Sequence, residues 1–212
     1  MKVNAIFRSI QGESTFAGLP CTFVRLTGCN LRCTYCDTTY AYEDGRDMAV
    51  GEVLGLIREL GSKLVEITGG EPMLQEAEVV ELTDHLVREA YQVLIETNGS
   101  RDIGKLAPEV TRIVDVKCPD SGMMDKTRWE NLEKLRPTDQ LKFVLSSRRD
   151  YEWAKNLVKE RGLMDRATIL FSPAFGLLEP KRLALWLCED KLPIRLQLQL
   201  HKYIWGPGER GV

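Results

Sequence analysis

A chain of 212 residues, 43% hydrophobic and 28% charged, can bury a domain-sized core and stay in solution. Its 29 Lys and Arg against 31 Asp and Glu leave a net charge of -2, which excludes a protein that coats duplex nucleic acid with surplus cations. The Met1–Gln11 start lacks the basic and apolar regions of a signal peptide, and no segment approaches the roughly 18 uninterrupted apolar residues of a membrane span, so a cytoplasmic protein is expected. In chain order, Thr22–Leu26 is a first apolar run, followed by a loop rich in cysteine. Val50, Val53, Leu54 and Ile57 make a helical stripe, and Leu64–Thr68 reads as a strand. Val79, Leu82 and Leu86 share one helical face, with Val80 and Val87 beside them. Val93–Thr97, Arg112–Val116 and Leu141–Leu145 read as further strands. Tyr151, Ala154 and Val158 mark a helix, Thr168–Phe171 a strand, and Leu183, Trp186 and Leu187 another helix. Leu196, Leu198 and Leu200 then alternate with Arg195, Gln197 and Gln199, the pattern of a strand with one polar face.

Strands alternating with helices predict an α/β fold with a mostly parallel sheet. The G-x-G-x-x-G turn of a dinucleotide fold is missing after the first strand. The unusual residues instead sit where strands end and loops begin, as they do in barrels. An incomplete, partial TIM-type β/α barrel is therefore expected.

Six cysteines in an unexported chain do not read as a disulfide framework. Three of them, Cys29, Cys33 and Cys36, lie within eight residues in the spacing C-x3-C-x2-C. A loop this short can fold its thiols around one metal centre. A structural zinc site would want a fourth ligand, which Cys21, Cys118 or Cys188 could supply in space; the two histidines, His85 and His201, are distant in sequence. An iron–sulfur cluster held by three thiolates, with one iron open to a small ligand, fits the same spacing. Cys21 and Cys188 read as small core residues, and Cys118 as one that could line a site beside Lys117. Arg25 interrupts an apolar strand, where an unpaired guanidinium is costly, so it calls for a carboxylate, either a ligand's or a structural one.

The cysteine loop, with Tyr35 before its last Cys, and the stretch Thr68-Gly69-Gly70-Glu71-Pro72 resemble the signatures of radical S-adenosylmethionine (SAM) enzymes. The likeness extends from Ile6 to Pro207, as one radical SAM domain over residues 1–212, and is to the 7-carboxy-7-deazaguanine synthases of the queuosine and deazapurine pathway. It is carried by Ile10 to Ser14, Arg25, Cys29 to Thr38, Thr68 to Gln75, Ile95 to Gly99, Lys117, and His201-Lys202-Tyr203. The early Gln11-Gly12-Glu13 and late His201-Lys202-Tyr203 segments set this family apart from others that share the cysteine loop.

The resemblance implies a carbon–nitrogen lyase that turns 6-carboxy-5,6,7,8-tetrahydropterin into 7-carboxy-7-deazaguanine and ammonia. Cys29, Cys33 and Cys36 are then expected to hold a [4Fe-4S] cluster, and the hydroxyl of Thr38 to meet a magnesium ion. SAM falls to Gly70, to Asp115, Val116 and Lys117 on the ribose side, and to Ser172, Pro173, Ala174 and Phe175 on the adenine side. Asp115-Val116-Lys117 departs from a common Ser-Pro-Lys form, keeping only the lysine. The pterin falls to Ile10, Gln11, Gly12, Arg25, Thr68 and Pro207, with Glu96 nearby and no proton transfer assigned. An electron donor such as flavodoxin or ferredoxin, a homodimer, and no nucleic-acid or membrane partner are implied as well. Two rivals remain: another radical SAM enzyme, such as a glycyl-radical activating enzyme, and a zinc-stabilised nucleic-acid-binding module.

Overall fold

The computed structural model describes all of residues 1–212. Strand β1 (Lys2–Ile10) turns back into β2 (Pro20–Leu26), and the short β3 (Arg46–Asp47) pairs with the other edge of β1. Helix α1 (Val50–Leu60) leads to β4 (Leu64–Gly69), α2 (Glu76–Arg88) to β5 (Gln92–Thr97), and an irregular stretch to β6 (Thr111–Asp115). After a second irregular stretch come β7 (Gln140–Leu145), α3 (Arg148–Glu160), β8 (Thr168–Pro173), α4 (Pro180–Asp190), β9 (Arg195–Leu196) and α5 (Leu200–Ile204). These form one nine-stranded sheet in the order β3-β1-β2-β4-β5-β6-β7-β8-β9. Every pairing from β2 to β9 is parallel, and the sheet does not close on itself.

The helices form where their apolar stripes meet the outward faces of the strands. Val53, Leu54 and Ile57 of α1 and Val79, Leu82 and Leu86 of α2 are buried against Val24, Val65, Ile67, Val93 and Ile95. Ala49 brings no polar side chain to the start of α1, and the Glu52 carboxylate accepts from its N–H at 2.7 Å instead. Tyr151, Ala154 and Val158 of α3 and Leu183 and Leu187 of α4 pack on Val114, Leu141, Phe143, Ile169 and Phe171.

Strand side chains alternate, so the residues between these point into the barrel. There a small apolar layer, Cys21, Phe23, Leu64, Leu94 and Ile113, forms a floor. The next inward positions along the same strands are Arg25, Glu66, Glu96 and Asp115, joined by Lys142 from β7. An apolar outside and a charged inside place the chemistry within the barrel.

Two expectations are corrected. The alternating Leu196–Leu200 stretch is a strand only over Arg195–Leu196, and Leu200 already begins α5. The polar face wins here. Gln197 accepts from the Ser14 N–H at 2.7 Å and donates to Glu13 at 2.8 Å, and Gln199 donates to Glu13 at 3.1 Å. With the Leu200 N–H donating to the Gly12 carbonyl at 2.8 Å, these bonds tie the last strand to the β1–β2 loop across the open seam. Cys188 is exposed on α4 and is no core residue.

Candidate functional site

The loops at the C-terminal ends of the strands and the interior below them enclose a cavity of about 520 Å³. The cysteine loop leaves β2 through Gly28, whose φ of +100° is open to glycine but not to a side chain without strain. Beside it, β4 ends at Gly69 and Gly70. A Cβ on Gly70 would lie 2.0 Å from the Gly28 carbonyl oxygen and 2.9 Å from the Cys29 Cβ. The second glycine thus lets the two motifs touch. Glu71, fully buried, accepts from the Met73 and Asn98 N–H groups at 2.9 and 2.6 Å and from the Thr97 hydroxyl at 2.7 Å. It locks this turn to the end of β5, and its carboxyl is pushed up by burial against those hydrogen bonds.

Cys29, Cys33 and Cys36 are free, half-buried and all line the cavity. Burial raises the thiols of Cys29 and Cys33, with Lys117 pulling the other way. The Cys29 sulfur accepts from the Leu31 N–H at 3.4 Å and from the Asn98 amide at 3.9 Å, contacts that favour a thiolate. No three His, Cys, Asp or Glu side chains gather closely enough for a single metal ion. Three thiols within eight residues, all lining one cavity, suit an iron–sulfur cluster with one iron left open to a small ligand.

Every residue expected to meet the pterin lines the cavity: Ile10, Gln11, Gly12, Arg25, Thr68 and Pro207. Of the SAM set, Gly70, Asp115, Lys117, Ala174 and Phe175 line it, while Val116, Ser172 and Pro173 are buried behind it. Val116 has its side chain in the α3–α4 core, and its N–H donates to the Lys142 carbonyl at 2.9 Å. Thr38 lines the cavity and donates its hydroxyl to Asp37 at 2.9 Å, leaving its lone pairs for a cation. Cys118, expected to border the site, lies instead in the outer core, and burial holds its thiol well up.

Arg25 is half-buried between Phe7 and Tyr40, with ring centroids 6.0 and 5.9 Å from its guanidinium carbon, and has no ion pair. The structural carboxylate that could have satisfied it is not there. Gly12 meets His201 so closely that a Cβ would fall 2.2 Å from its Nδ1. The two sequence segments most particular to this chain therefore pack on each other at the cavity wall.

Sequence reasoning missed Glu66 and Lys142 in the charged layer beneath, where Glu96, Asp115 and Lys117 were expected near the ligands. Lys142 contacts Glu13 at 2.9 Å, Glu96 closely and Asp115 at 3.9 Å, and Lys117 pairs with Asp115 at 2.7 Å. Burial alone would discharge Lys142, but the carboxylates of Glu13 and Glu96 hold its proton well above the usual range. Glu66, which accepts from Gln11, has no such cation, and burial followed by repulsion from Glu96 pushes its carboxyl up to about 8. One signal could have found these residues: a lone charge in an apolar strand, as in Leu64-Val65-Glu66-Ile67 and Leu141-Lys142-Phe143. Arg25 had been read from that same signal.

The profile of the Radical SAM superfamily matches residues 23–115. A 7-carboxy-7-deazaguanine synthase from Koribacter versatilis is 46% identical over the full length of both chains. One from Chlorobaculum tepidum is 44% identical, over all of this chain and 97% of that protein. The crystal structure of QueE from Escherichia coli superposes with a TM-score of 0.77 at 26% identity, covering 94% of each chain.

Proposed function

Since the chain belongs to the 7-carboxy-7-deazaguanine synthases, enzymes of the radical SAM superfamily, we propose that its cavity converts 6-carboxy-5,6,7,8-tetrahydropterin to 7-carboxy-7-deazaguanine and ammonia. One observation carries this reading: three thiols and an unpaired guanidinium, Arg25, face the same cavity. Bound there, a [4Fe-4S] cluster and SAM supply the one-electron chemistry that removes a hydrogen atom from the pterin, with magnesium offsetting charge near its carboxylate.

The chain's own residues bind, orient and shield. Cys29, Cys33 and Cys36 would hold the cluster, and the N–H donors from Leu31 and Asn98 would stabilise thiolate charge on Cys29. Gly70, which lets the end of β4 pack against the cysteine loop, would meet the amino group of SAM. Asp115 Oδ1 is buried without a hydrogen-bond partner, although Oδ2 holds Lys117. An orphaned acceptor of this kind fits a ribose hydroxyl, which supports the ribose-side assignment despite the departure from Ser-Pro-Lys. Ala174 and Phe175 border the adenine side, with Ser172 and Pro173 fixing the backbone behind them. Thr38 would offer one oxygen to magnesium, a hard ion suited to oxygen donors.

Arg25 takes the pterin carboxylate as a bidentate partner. Ile10, Gln11, Gly12, Thr68 and Pro207 surround the ring. The tail from Gly206 to Val212 also lines the cavity; such a covered site suits a small molecule better than the protein substrate of a glycyl-radical activating enzyme. The continuous sheet supports a single domain over residues 1–212. No helix is long and apolar enough to cross a membrane. A low-potential flavodoxin or ferredoxin as electron donor, a cytoplasmic setting and a homodimer complete the reading. Exposed Leu177, Tyr203 and Ile204 near the last strand support the pairing of two copies.

Anaerobically loaded protein, reduced and given SAM, magnesium and the carboxy-tetrahydropterin, should release the deazapurine carboxylate, read by mass spectrometry. A fully loaded cluster that cleaves SAM yet leaves the pterin intact would overturn the reading. Arg25→Ala should weaken pterin binding by roughly 100-fold while SAM binding stays within about twofold, because a charge-assisted pair is lost on one ligand only.

A further inference from the structure

We propose that Glu66 reads the aminopyrimidinone ring of the pterin, its ionised carboxylate accepting from the 2-amino group and the adjacent ring N–H. The assignment rests on the pterin reading above and deepens it.

The position is built for such a ligand. Glu66 is only 4% exposed, yet it lines the cavity. It points inward from β4, in register with Phe23 on β2 and two residues before Thr68, itself in register with Arg25. Its one hydrogen bond comes from Gln11 to Oε2, and Oε1 has no protein partner. An ionised carboxylate can accept about four hydrogen bonds, and a buried one with a single donor is under-satisfied. The cation that could complete it, Lys142, is already shared by Glu13, Glu96 and Asp115.

Two adjacent N–H donors in one plane match both oxygens of a carboxylate, the geometry by which a guanidinium is held. The wall beside Glu66 is flat and apolar. Phe7 and Phe23 stack at 5.2 Å with their planes 17° apart, and both line the cavity. Arg25 stands one inward position above Phe23 on the neighbouring strand, ready for the ligand's carboxylate. Acceptor, flat wall and cation thus follow one another in the order of the pterin's own groups.

The groups that face Glu66 set its pH behaviour: Glu96 from β5, Glu13 and Gln11 from the β1–β2 loop, Lys142 from β7 and Cys21 from β2. In the free protein the carboxyl holds its proton up to about pH 8. The N–H pair must displace that proton, so affinity tightens as pH rises toward 8 and then levels.

The test is anaerobic calorimetry of carboxy-tetrahydropterin binding to cluster-loaded protein between about pH 6 and about pH 9. Wild-type affinity should climb by up to about tenfold per pH unit below 8 and flatten above it. Glu66→Gln should bind roughly 100-fold more weakly, lose the pH dependence, and favour the analogue whose 2-amino group is replaced by oxygen. SAM binding and the cluster's paramagnetic signal should not change. Glu66→Asp, which keeps the charge, should retain the pH dependence at lower affinity and serves if the glutamine variant does not fold. A pH-independent wild type, an unchanged Glu66→Gln affinity, or an affinity that falls above pH 8 would each overturn the assignment. Wild-type protein that binds SAM but not the pterin would defeat the functional reading itself. Wild-type turnover alongside equal pterin binding by Glu66→Gln would defeat only the role of Glu66.

Discussion

At Gly12 a single hydrogen atom decides whether two distant parts of the chain can meet. Because a Cβ there would sit 2.2 Å from His201 Nδ1, Gly12→Ala should cost about 1–3 kcal/mol, the usual range for overpacking. Denaturant unfolding measures the loss. His201→Ala in the same chain should recover most of it, since the clash needs both partners. Away from the cavity, Asp139 is fully buried and binds Arg112 closely, while accepting from the Arg112 and Arg136 backbone N–H groups at 3.1 and 2.8 Å. Asp139→Ala leaves the Arg112 guanidinium buried without its anion and should cost about 3–5 kcal/mol. A loss below about 1 kcal/mol would show that the remaining carbonyl acceptors, Ile103 and Lys134, suffice for Arg112.

Among the elements, the seam between β9 and the β1–β2 loop is held mostly by side chains rather than by a strand ladder. Gln197 alone contributes two of its hydrogen bonds. Gln197→Ala should therefore raise amide exchange in β9 and in Gln11–Ser14 by more than tenfold, while amides of β4 and β5 keep their protection. Uniform change across the sheet would contradict a local clasp. The outward half of the fold was legible because Val65, Ile67, Val93, Ile95, Leu141 and Phe143 pack on helices with stripes of their own. β1 was not foreseen: of its nine residues only Val3 is buried, so it carries little apolar pattern. The two crossovers without an α-helix, residues 98–110 and 116–139, the second carrying only short 3-10 turns, also lack a period to read. They are held by polar ties such as Asn131, whose amide donates to the Gly99 and Arg101 carbonyls at 3.0 and 2.7 Å. In the site, the cysteines, glycines and Arg25 could be found from sequence because chemistry restricts those residue types locally. Glu66 and Lys142 could not be grouped, because only the curling of the open sheet brings the inward faces of β4 and β7 toward one cavity.

For the molecule as a whole, the interior charge sets how stability varies with pH. Folded, Glu66 keeps its proton to about pH 8; unfolded, a glutamate releases it near 4.3. Between those values the folded state binds more protons, so this residue's contribution falls as pH rises, by at most about 1.4 kcal/mol per unit. Glu66→Gln removes that titration. The difference in unfolding free energy between variant and parent should shift steadily in the variant's favour from about pH 5 to about pH 8. A constant difference would mean that the proton is shed as easily in the folded chain as in the unfolded one.

The central strands of the barrel turn one side to the helix-covered core and the other to the cavity, so alternate residues answer to different demands. Exchanging an outward valine would lower the melting temperature and spare the reaction; exchanging its inward neighbour would do the reverse. The molecule can accordingly be tuned for heat and for substrate on separate residues, one step apart along the same backbone.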